Sequence, residues 1–381
     1  MVNTHDDVVI IGGGVVGLSA AIAMHDRGYK VTVLDAGAFD ATPVFSRVYA
    51  LNHASIALLT ALKVWAFVDS KALAFYHAMH VWDASHGACV DFEARLMAQD
   101  HLGVMVDENT IKRALMARLA RCDVLLSPFS AVTKVDVHDD GVEIHCGDTR
   151  WWARWMIVAD GGQSVVRTLL QVPLHQRAYQ QSSIVAQVQT QNPHENVAYQ
   201  VFHADGPLAL LPTSDPHQCA LVWSTKTPQG KMGLSEQEFN AALTHATQQK
   251  LGACALLSSR YSYPLIMRHV KHYVGKRWLL MGDAAHTIHP LAGLGLNLGL
   301  ADLATWMHCM PTSLGGTWSP MHLGRYQRQR KHAVWQVIIC MSLIQQCFNY
   351  PSLAMARGLM MRILQVCWPA KYLLMEKASD L

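Results

Sequence analysis

A strand, a glycine turn, a helix and a second strand follow one another at the N-terminus. Short strands punctuated by Pro, Gly and Asn run from about residue 173 to 264, and residues 331–381 have helical texture. These three observations predict an α/β chain with a doubly wound parallel-sheet domain, a mostly antiparallel sheet inserted into it, and a helical tail. The predicted boundaries are 1–172 for the first part of the sheet domain and 173–264 for the inserted domain. Residues 265–330 form the second part of the sheet domain, and 331–381 the C-terminal helical region.

Val8–Ile11 is a β-branched run that enters Gly12-Gly13-Gly14. An Ala-rich helix is expected from Val15 to Arg27, stopped by Gly28, and a strand from Lys30 to Leu34 ends at Asp35. Ala54–Trp65 and Thr110–Arg121 read as helices, the latter with Asn109 or Thr110 as N-cap. Val124 and Leu125 suit a parallel strand. Ala131–Val137 and Gly141–Cys146 suit a hairpin turned at Asp139-Asp140-Gly141. Trp155–Ala159 is a buried strand ending at Asp160-Gly161-Gly162. In the inserted domain, strands are expected at Ser183–Gln189, Ala198–Phe202, Leu208–Leu211 and Ala220–Ser224. Trp278–Met281 is again a buried strand, ending at Gly282-Asp283, and Leu296–Cys309 is a helix. From Arg325 onward the chain is helical, broken near Pro351 and Pro369.

The 381 residues are 51% hydrophobic and 15% charged, which excludes a disordered chain and favours some surface that meets lipid, a partner or an apolar ligand. A net charge of +3 with no basic tract excludes a nucleic-acid binder. Nine cysteines without a CxxC pair read as reduced, mostly buried thiols of a cytoplasmic protein. The polar N-terminus lacks the layout of a signal peptide, and no apolar run is long enough for a transmembrane helix.

Gly12-Gly13-Gly14-Val15-Val16-Gly17 is a GxGxxG between strand and helix. The first Gly makes the turn, the second admits a pyrophosphate, and the third lets helix pack on strand. Asp35, ending the next strand, can accept hydrogen bonds from a ribose. Together they predict a Rossmann-like dinucleotide site facing the positive end of the helix. Val158 to Arg167 and Gly282 to Pro290 are two further strand ends that carry Asp-Gly and Gly-Asp. The first also reads as a plain turn with a solvated Arg167. In the second, Gly293, Gly295 and Gly299 open a helix whose N-terminus can face an electron-rich ring. His286-x-x-His289 has zinc-like spacing, but no third acidic or cysteine ligand is near, so no metal is predicted.

With these three motifs in order, the chain resembles FAD-dependent aromatic hydroxylases of the p-hydroxybenzoate hydroxylase type, and more narrowly the ubiquinone-biosynthesis hydroxylase branch. Ser46 to Asn52, Val81-Trp82-Asp83, Tyr179-Gln180-Gln181, Phe202 to Pro212, Gly282 to Gly299, Arg357-Gly358 and Lys371 carry the likeness over essentially the whole chain. It implies that Gly12, Gly14, Val15, Val16 and Gly17 cradle the FAD pyrophosphate, Asp35 the adenosine ribose, and Arg47 the phosphates or ring. Asp160 and Gly161 would serve FAD and nicotinamide, Gly282 and Asp283 the ribityl chain, and Gly293, Gly295, Leu296 and Asn297 the flavin carbonyl. Pro290 would stand at the substrate side. Three departures from the branch are Leu294 for Gln, Asp107-Glu108 for Glu-Asn, and Lys112 for a Gln or Arg that reaches the cofactor.

The resemblance further implies a single-component monooxygenase. NAD(P)H would reduce the flavin, O2 would form a C4a-hydroperoxide, and an electron-rich ring would attack it in a pocket closed to water. His286 or His289 would deprotonate the phenol, or only pack and hydrogen-bond beside the ring. The expected substrate is a polyprenylated phenol or quinol, to be met by Tyr199, Phe202, Leu208–Leu211 and Trp223 unless these are simply core. Leu359, Met360, Ile363 and Cys367 recur at helical spacing near Arg357, Arg362 and Lys371. They suit either peripheral contact with the inner face of a membrane or packing against the protein or a second copy. Other quinone-biosynthesis enzymes are candidate partners. The competing readings are a catalytically weak FAD-binding scaffold, motivated by Leu294 and Lys112, and a flavin oxidase that does not use NAD(P)H.

Overall fold

The computed structural model describes residues 2–39, 47–288, 293–311, 313, 316–349 and 354–380. Its first sheet has seven strands. The β-branched Val2–Ile11 lies between Val31–Leu34 and Thr149–Val158, all parallel, and Val124–Ser127 extends the sheet beyond Val31–Leu34. The first half of Thr149–Val158 pairs with the hairpin Lys134–Val137 and Val142–Cys146, and its second half with Trp278–Leu280 in parallel. Val8, Val9, Ile10, Met156, Ile157, Val158, Leu279 and Leu280 are fully buried, as a parallel sheet covered on both faces requires. The Ala-rich helix Val15–Asp26 covers one face, and the helix Leu294–Cys309 packs against it.

The second sheet has nine strands, centred on the long strand Leu174–Thr190. Its antiparallel neighbours are Gln218–Thr225 and Tyr261–Val270, and Gly206–Pro212 and Val197–His203 continue it. The sheet reaches outside residues 173–264. Ala78–Asp83 pairs in parallel with Val197–His203, and Cys89–Glu93 pairs with Ala78–Asp83. His286–Thr287 closes its other edge against Tyr261–Val270. Glu236–Ala246, which the turn-rich texture of the segment did not announce, is a helix with a complete Ser235–Glu238 capping box. It buries Phe239 and Leu243 under Trp223, Leu208 and Leu210. A small third sheet joins Val48–Leu51, Gly103–Asp107 and Ala74–Tyr76.

The helix predicted at Thr110–Arg121 spans Glu108–Leu119. Asp107, and neither Asn109 nor Thr110, is its cap, accepting from the Thr110 N–H at 3.1 Å. The tail forms the helices Pro320–Asn349, Ala354–Val366 and Trp368–Asp380, so Pro369 lies in the first turn of the last helix, where a missing N–H costs nothing. No helix among the described residues is long and apolar enough to cross a membrane.

Candidate active site

The three sequence motifs stand at the carboxyl ends of three strands that touch. Ile11 accepts from the Ala159 N–H at 2.8 Å, and Val158 accepts from the Met281 N–H at 2.9 Å. The loops after residues 11, 159 and 281 therefore form one rim. In open α/β sheets this rim is where ligands bind. A Cβ on Gly12, at φ +110°, would stand 2.3 Å from the Ala159 carbonyl oxygen, and one on Gly17 would stand 2.0 Å from the Gly12 oxygen. Those two glycines are used by the protein itself. A Cβ on Gly14 would meet nothing within 4 Å, so the space the second glycine leaves open is available to a ligand. Gly14 is also the extended N-cap of Val15–Asp26 and offers no side-chain cap, which leaves the first N–H groups of that helix to an anion. Val15 is buried, and Val16 lies where Cβ atoms on Gly282 and Gly299 would touch it, so it packs the first loop against the third.

Asp35 accepts from the Gly13 N–H at 2.5 Å and the Gly37 N–H at 2.7 Å, which holds its carboxylate beside the glycine turn. Asp160 accepts from the Val166 N–H at 3.2 Å, in the first turn of Val165–Leu169, whose N-cap is Ser164. Burial raises the Asp160 carboxyl pKa, and its Oδ1 is buried with no hydrogen bond. Gly161 takes φ +85° with open space beside it. Arg167 is not solvated. It is buried, donating to the Ala284 carbonyl at 2.9 Å and the Gly162 carbonyl at 3.0 Å, so it laces the second loop to the third.

Gly282 turns the third loop at φ +59°. Asp283, next to it, receives no hydrogen bond on its carboxylate from any described residue. Burial raises its pKa, while His286, Arg47 and Arg268 oppose the rise. A half-buried carboxylate without a donor is costly unless a ligand supplies one. Gly293, at φ +65°, caps Leu294–Cys309, and Gly295 faces open space. Leu296 is buried. The Asn297 side chain turns inward, accepting from the Asn52 N–H at 3.1 Å and the Ser55 hydroxyl at 2.8 Å, and donating to the Ala50 carbonyl at 2.7 Å.

Arg47 lies with its guanidinium 5.4 Å from the ring centroid of Tyr263, bridging the first domain to the second sheet. Its neighbour Tyr49 donates to Glu108 at 3.1 Å, and burial pushes the phenol pKa up. Glu108 thus has a definite partner at the place where the branch carries Asn. Lys112 lies half-buried one turn farther along the same helix.

Of the candidate catalytic residues, His289 and Pro290 lie outside the described residues, as does Ser46. His286 is 1% exposed, with Nε2 2.8 Å from Asp302. This places it as a buried hydrogen-bonding histidine, the alternative to a base that the sequence left open. Leu294 is buried with Met267, Leu298, Val334, Val337 and Ile338. Its side chain belongs to that apolar cluster, so replacing Gln there removes no polar contact from the rim and gives the scaffold reading no support.

The expected substrate wall is split between the two faces of its sheet, with Phe202, Ala209 and Leu211 on one and Tyr199, Leu208, Leu210 and Trp223 on the other. Trp223, Leu208 and Leu210 point into the core under Glu236–Ala246, and Phe202 stacks on Phe348 at 3.9 Å. Alternation puts Val185, Val222, Ala209 and Leu211 on the opposite face. The register keeps them on one side with Ala198, and Ala198 and Leu211 pack with Ala50, Ala74 and Met105 from the first domain. Tyr263 shares that face with Ser183 and Arg47 covers it. Arg47, whose charge opposes the pKa rise of Asp283, thus stands between the dinucleotide rim and this sheet face.

Residues 5–340 match the family described as FAD binding domain. The chain is 32% identical over 342 residues to 3-demethoxyubiquinol 3-hydroxylase of Escherichia coli, covering 87% of this chain and 86% of that one.

The chain belongs to the FAD-dependent aromatic hydroxylases, in their ubiquinone-biosynthesis branch.

This FAD-dependent hydroxylase is also 29% identical to ubiquinone biosynthesis monooxygenase COQ6 of Xenopus tropicalis, over 98% of this chain and 93% of the relative. Its fold is that of p-nitrophenol 4-monooxygenase PnpA from Pseudomonas putida, with a TM-score of 0.80 at 17% identity over 98% of each chain. As a member, it is an FAD-dependent monooxygenase with NAD(P)H as co-substrate. The open space at Gly14, the unpaired Asp283 and the orphaned Asp160 oxygen fit the cofactor.

Proposed function

We propose that this hydroxylase acts on the ring of a lipid-soluble phenol or quinol of ubiquinone biosynthesis. One observation carries the reading. The sheet face that Arg47 covers beside Asp283 carries the apolar patch Val185, Ala209, Leu211 and Val222, with Ser183, Gln200 and Tyr263 as polar side chains on the same face. The names of the relatives supply the quinol class.

Gly12, Gly14, Val15, Val16 and Gly17 would hold the FAD pyrophosphate, with Asp35 on the ribose and Arg47 and Lys112 near the phosphates. Asp160, Gly161, Gly282 and Asp283 would meet the rest of the chain, and the amides of Gly293, Gly295, Leu296 and Asn297 the ring. FAD supplies the redox chemistry when bound. The protein's part is to orient the substrate ring, exclude water with the apolar sheet face, and offer the N–H groups that open Leu294–Cys309 to developing negative charge. His289 and Pro290 stay the candidates for the substrate side.

The tail supports contact with a lipid surface. Met355, Leu359, Met360, Ile363, Val366, Trp368, Leu373 and Leu374 are exposed on its last two helices, and Arg362 and Lys377 are exposed among them. That combination suits the interface of an anionic bilayer. Flotation with vesicles containing anionic lipid checks this. Recovery in the soluble fraction at every lipid composition counts against it.

The decisive experiment mixes FAD-loaded protein with NADPH, O2 and short-chain prenylphenols and reads products by mass spectrometry. A product heavier by one oxygen is expected. NADPH consumption that yields only peroxide with every analogue defeats the reading.

A further inference from the structure

Asp302, on the helix Leu294–Cys309, has a side chain with no exposed surface. Its Oδ2 accepts from the Gly282 N–H at 2.8 Å and lies 2.8 Å from Nε2 of His286. Its Oδ1 accepts from Nε of Arg330 at 2.6 Å, and the same guanidinium donates to the Leu298 carbonyl at 3.1 Å. One carboxylate thus holds both ends of the segment 282–286. Asp283, inside that segment, receives no hydrogen bond on its carboxylate from any described residue. Gly282 holds φ +59°, which glycine adopts readily, and its N–H is the group Asp302 takes. Burial alone would raise the Asp302 carboxyl pKa, but His286 and Arg330 hold it below the usual range, so it is an anion in the interior. Arg330, on Pro320–Asn349, neutralises the anion from behind.

We propose that Asp302 is the positioning residue of the cofactor rim, stapling segment 282–286 so that the Asp283 carboxylate is held at the rim. This rests on the reading of the chain as an FAD enzyme and adds to it the residue that pre-organises the ligand-binding carboxylate. Asp302 would touch neither cofactor nor substrate. Its effect passes through Gly282 and His286.

The test compares three proteins: wild type, Arg330→Met, and the double variant Asp302→Leu with Arg330→Met. The double variant removes the buried charge with its partner, so it leaves no unpaired ion to prevent folding. A leucine at 302 has no acceptor, so it takes neither the Gly282 N–H nor the His286 ring N–H. FAD affinity is read by flavin fluorescence quenching on apoprotein, well below each melting temperature, with visible circular dichroism of the bound flavin. Arg330→Met should lower Tm while Kd rises less than about threefold, and the double variant should raise Kd about tenfold or more with an altered dichroism band. His286→Leu cuts the staple at its other end, keeps Asp302 and Arg330 paired, and should raise Kd by an intermediate factor. If the double variant fails to fold, His286→Leu carries the same test. Folded variants with lower Tm but wild-type Kd and dichroism make the triad purely structural and overturn the proposal. Wild-type apoprotein that takes up no FAD overturns the parent reading and this one with it.

Discussion

His269 shows how a buried side chain sets a pH limit on stability. It is 2% exposed, its Nε2 lies 3.1 Å from the Tyr273 hydroxyl, and its register partner across the sheet edge is His286. Burial, with His286, Lys331 and His175 acting in the same sense, lowers its pKa from 6.5 to about 4. The unfolded chain therefore binds a proton here at pH values where the folded chain does not. The stability of the neutral ring is intact above pH 6.5, falls as the pH drops, and is fully lost below about pH 4, a change of about 3 kcal/mol. Urea titrations between pH 7 and 4.5 should show wild type losing more stability than His269→Gln, which keeps an acceptor for Tyr273. Parallel pH profiles would refute the assignment. Leu294 makes a second residue-scale prediction. Leu294→Gln buries an amide in the cluster of Met267, Val334 and Ile338 and should cost about 1–3 kcal/mol in urea, while FAD affinity changes little because the backbone N–H groups remain. Motif comparison flagged this position, but only the side chain's direction shows what the change does.

At the scale of elements, the tail is attached by buried polar groups. Arg357 on Ala354–Val366 donates to Asp83 at 2.6 Å, with Asp83 fully buried. The same guanidinium donates to the Cys347 carbonyl and covers the Phe348 ring. Lys371 donates to the Asp91 carbonyl, and Gln365 to the Asp91 carboxylate. Arg357→Met leaves the Asp83 charge buried alone and should cost about 3–5 kcal/mol, much of it recovered in a double variant with Asp83→Asn. Urea midpoints and tryptic cleavage within 354–366 measure it. Equal stability of single and double variants would show that the pair carries no coupling. The sequence singled out Arg357 and Lys371 as family-like and left their helices either a membrane face or packing against the protein or a second copy. They anchor the tail to the edge strands Ala78–Asp83 and Cys89–Glu93, while the apolar residues beside them face out. Ala78–Asp83 was missed because its parallel partner begins at Val197, more than a hundred residues away.

At the scale of the whole molecule, the rim is assembled from the ends of strands that close at residues 11, 158 and 280, and helix Leu294–Cys309 joins it through Gly299 and Asp302. A cofactor that touches all of these binds the folded chain and has no comparable site in the unfolded one. At free FAD a hundredfold above Kd, the chain should gain about 2.7 kcal/mol, seen as a concentration-dependent rise in Tm by calorimetry. A Tm independent of FAD would show that the loops do not form one site.

Local chemistry alone determined the parallel sheet, the glycine turn and the acids that end three strands. Strand burial, φ limits at glycine and the positive helix end are properties of a few adjacent residues. Tertiary structure decided which face of the second sheet Arg47 covers, that Arg167 and His286 are buried, and that Asp302 backs the third loop. Each of these depends on contacts between residues far apart in the chain, and the direction of a side chain relative to a distant partner leaves no periodic trace in sequence.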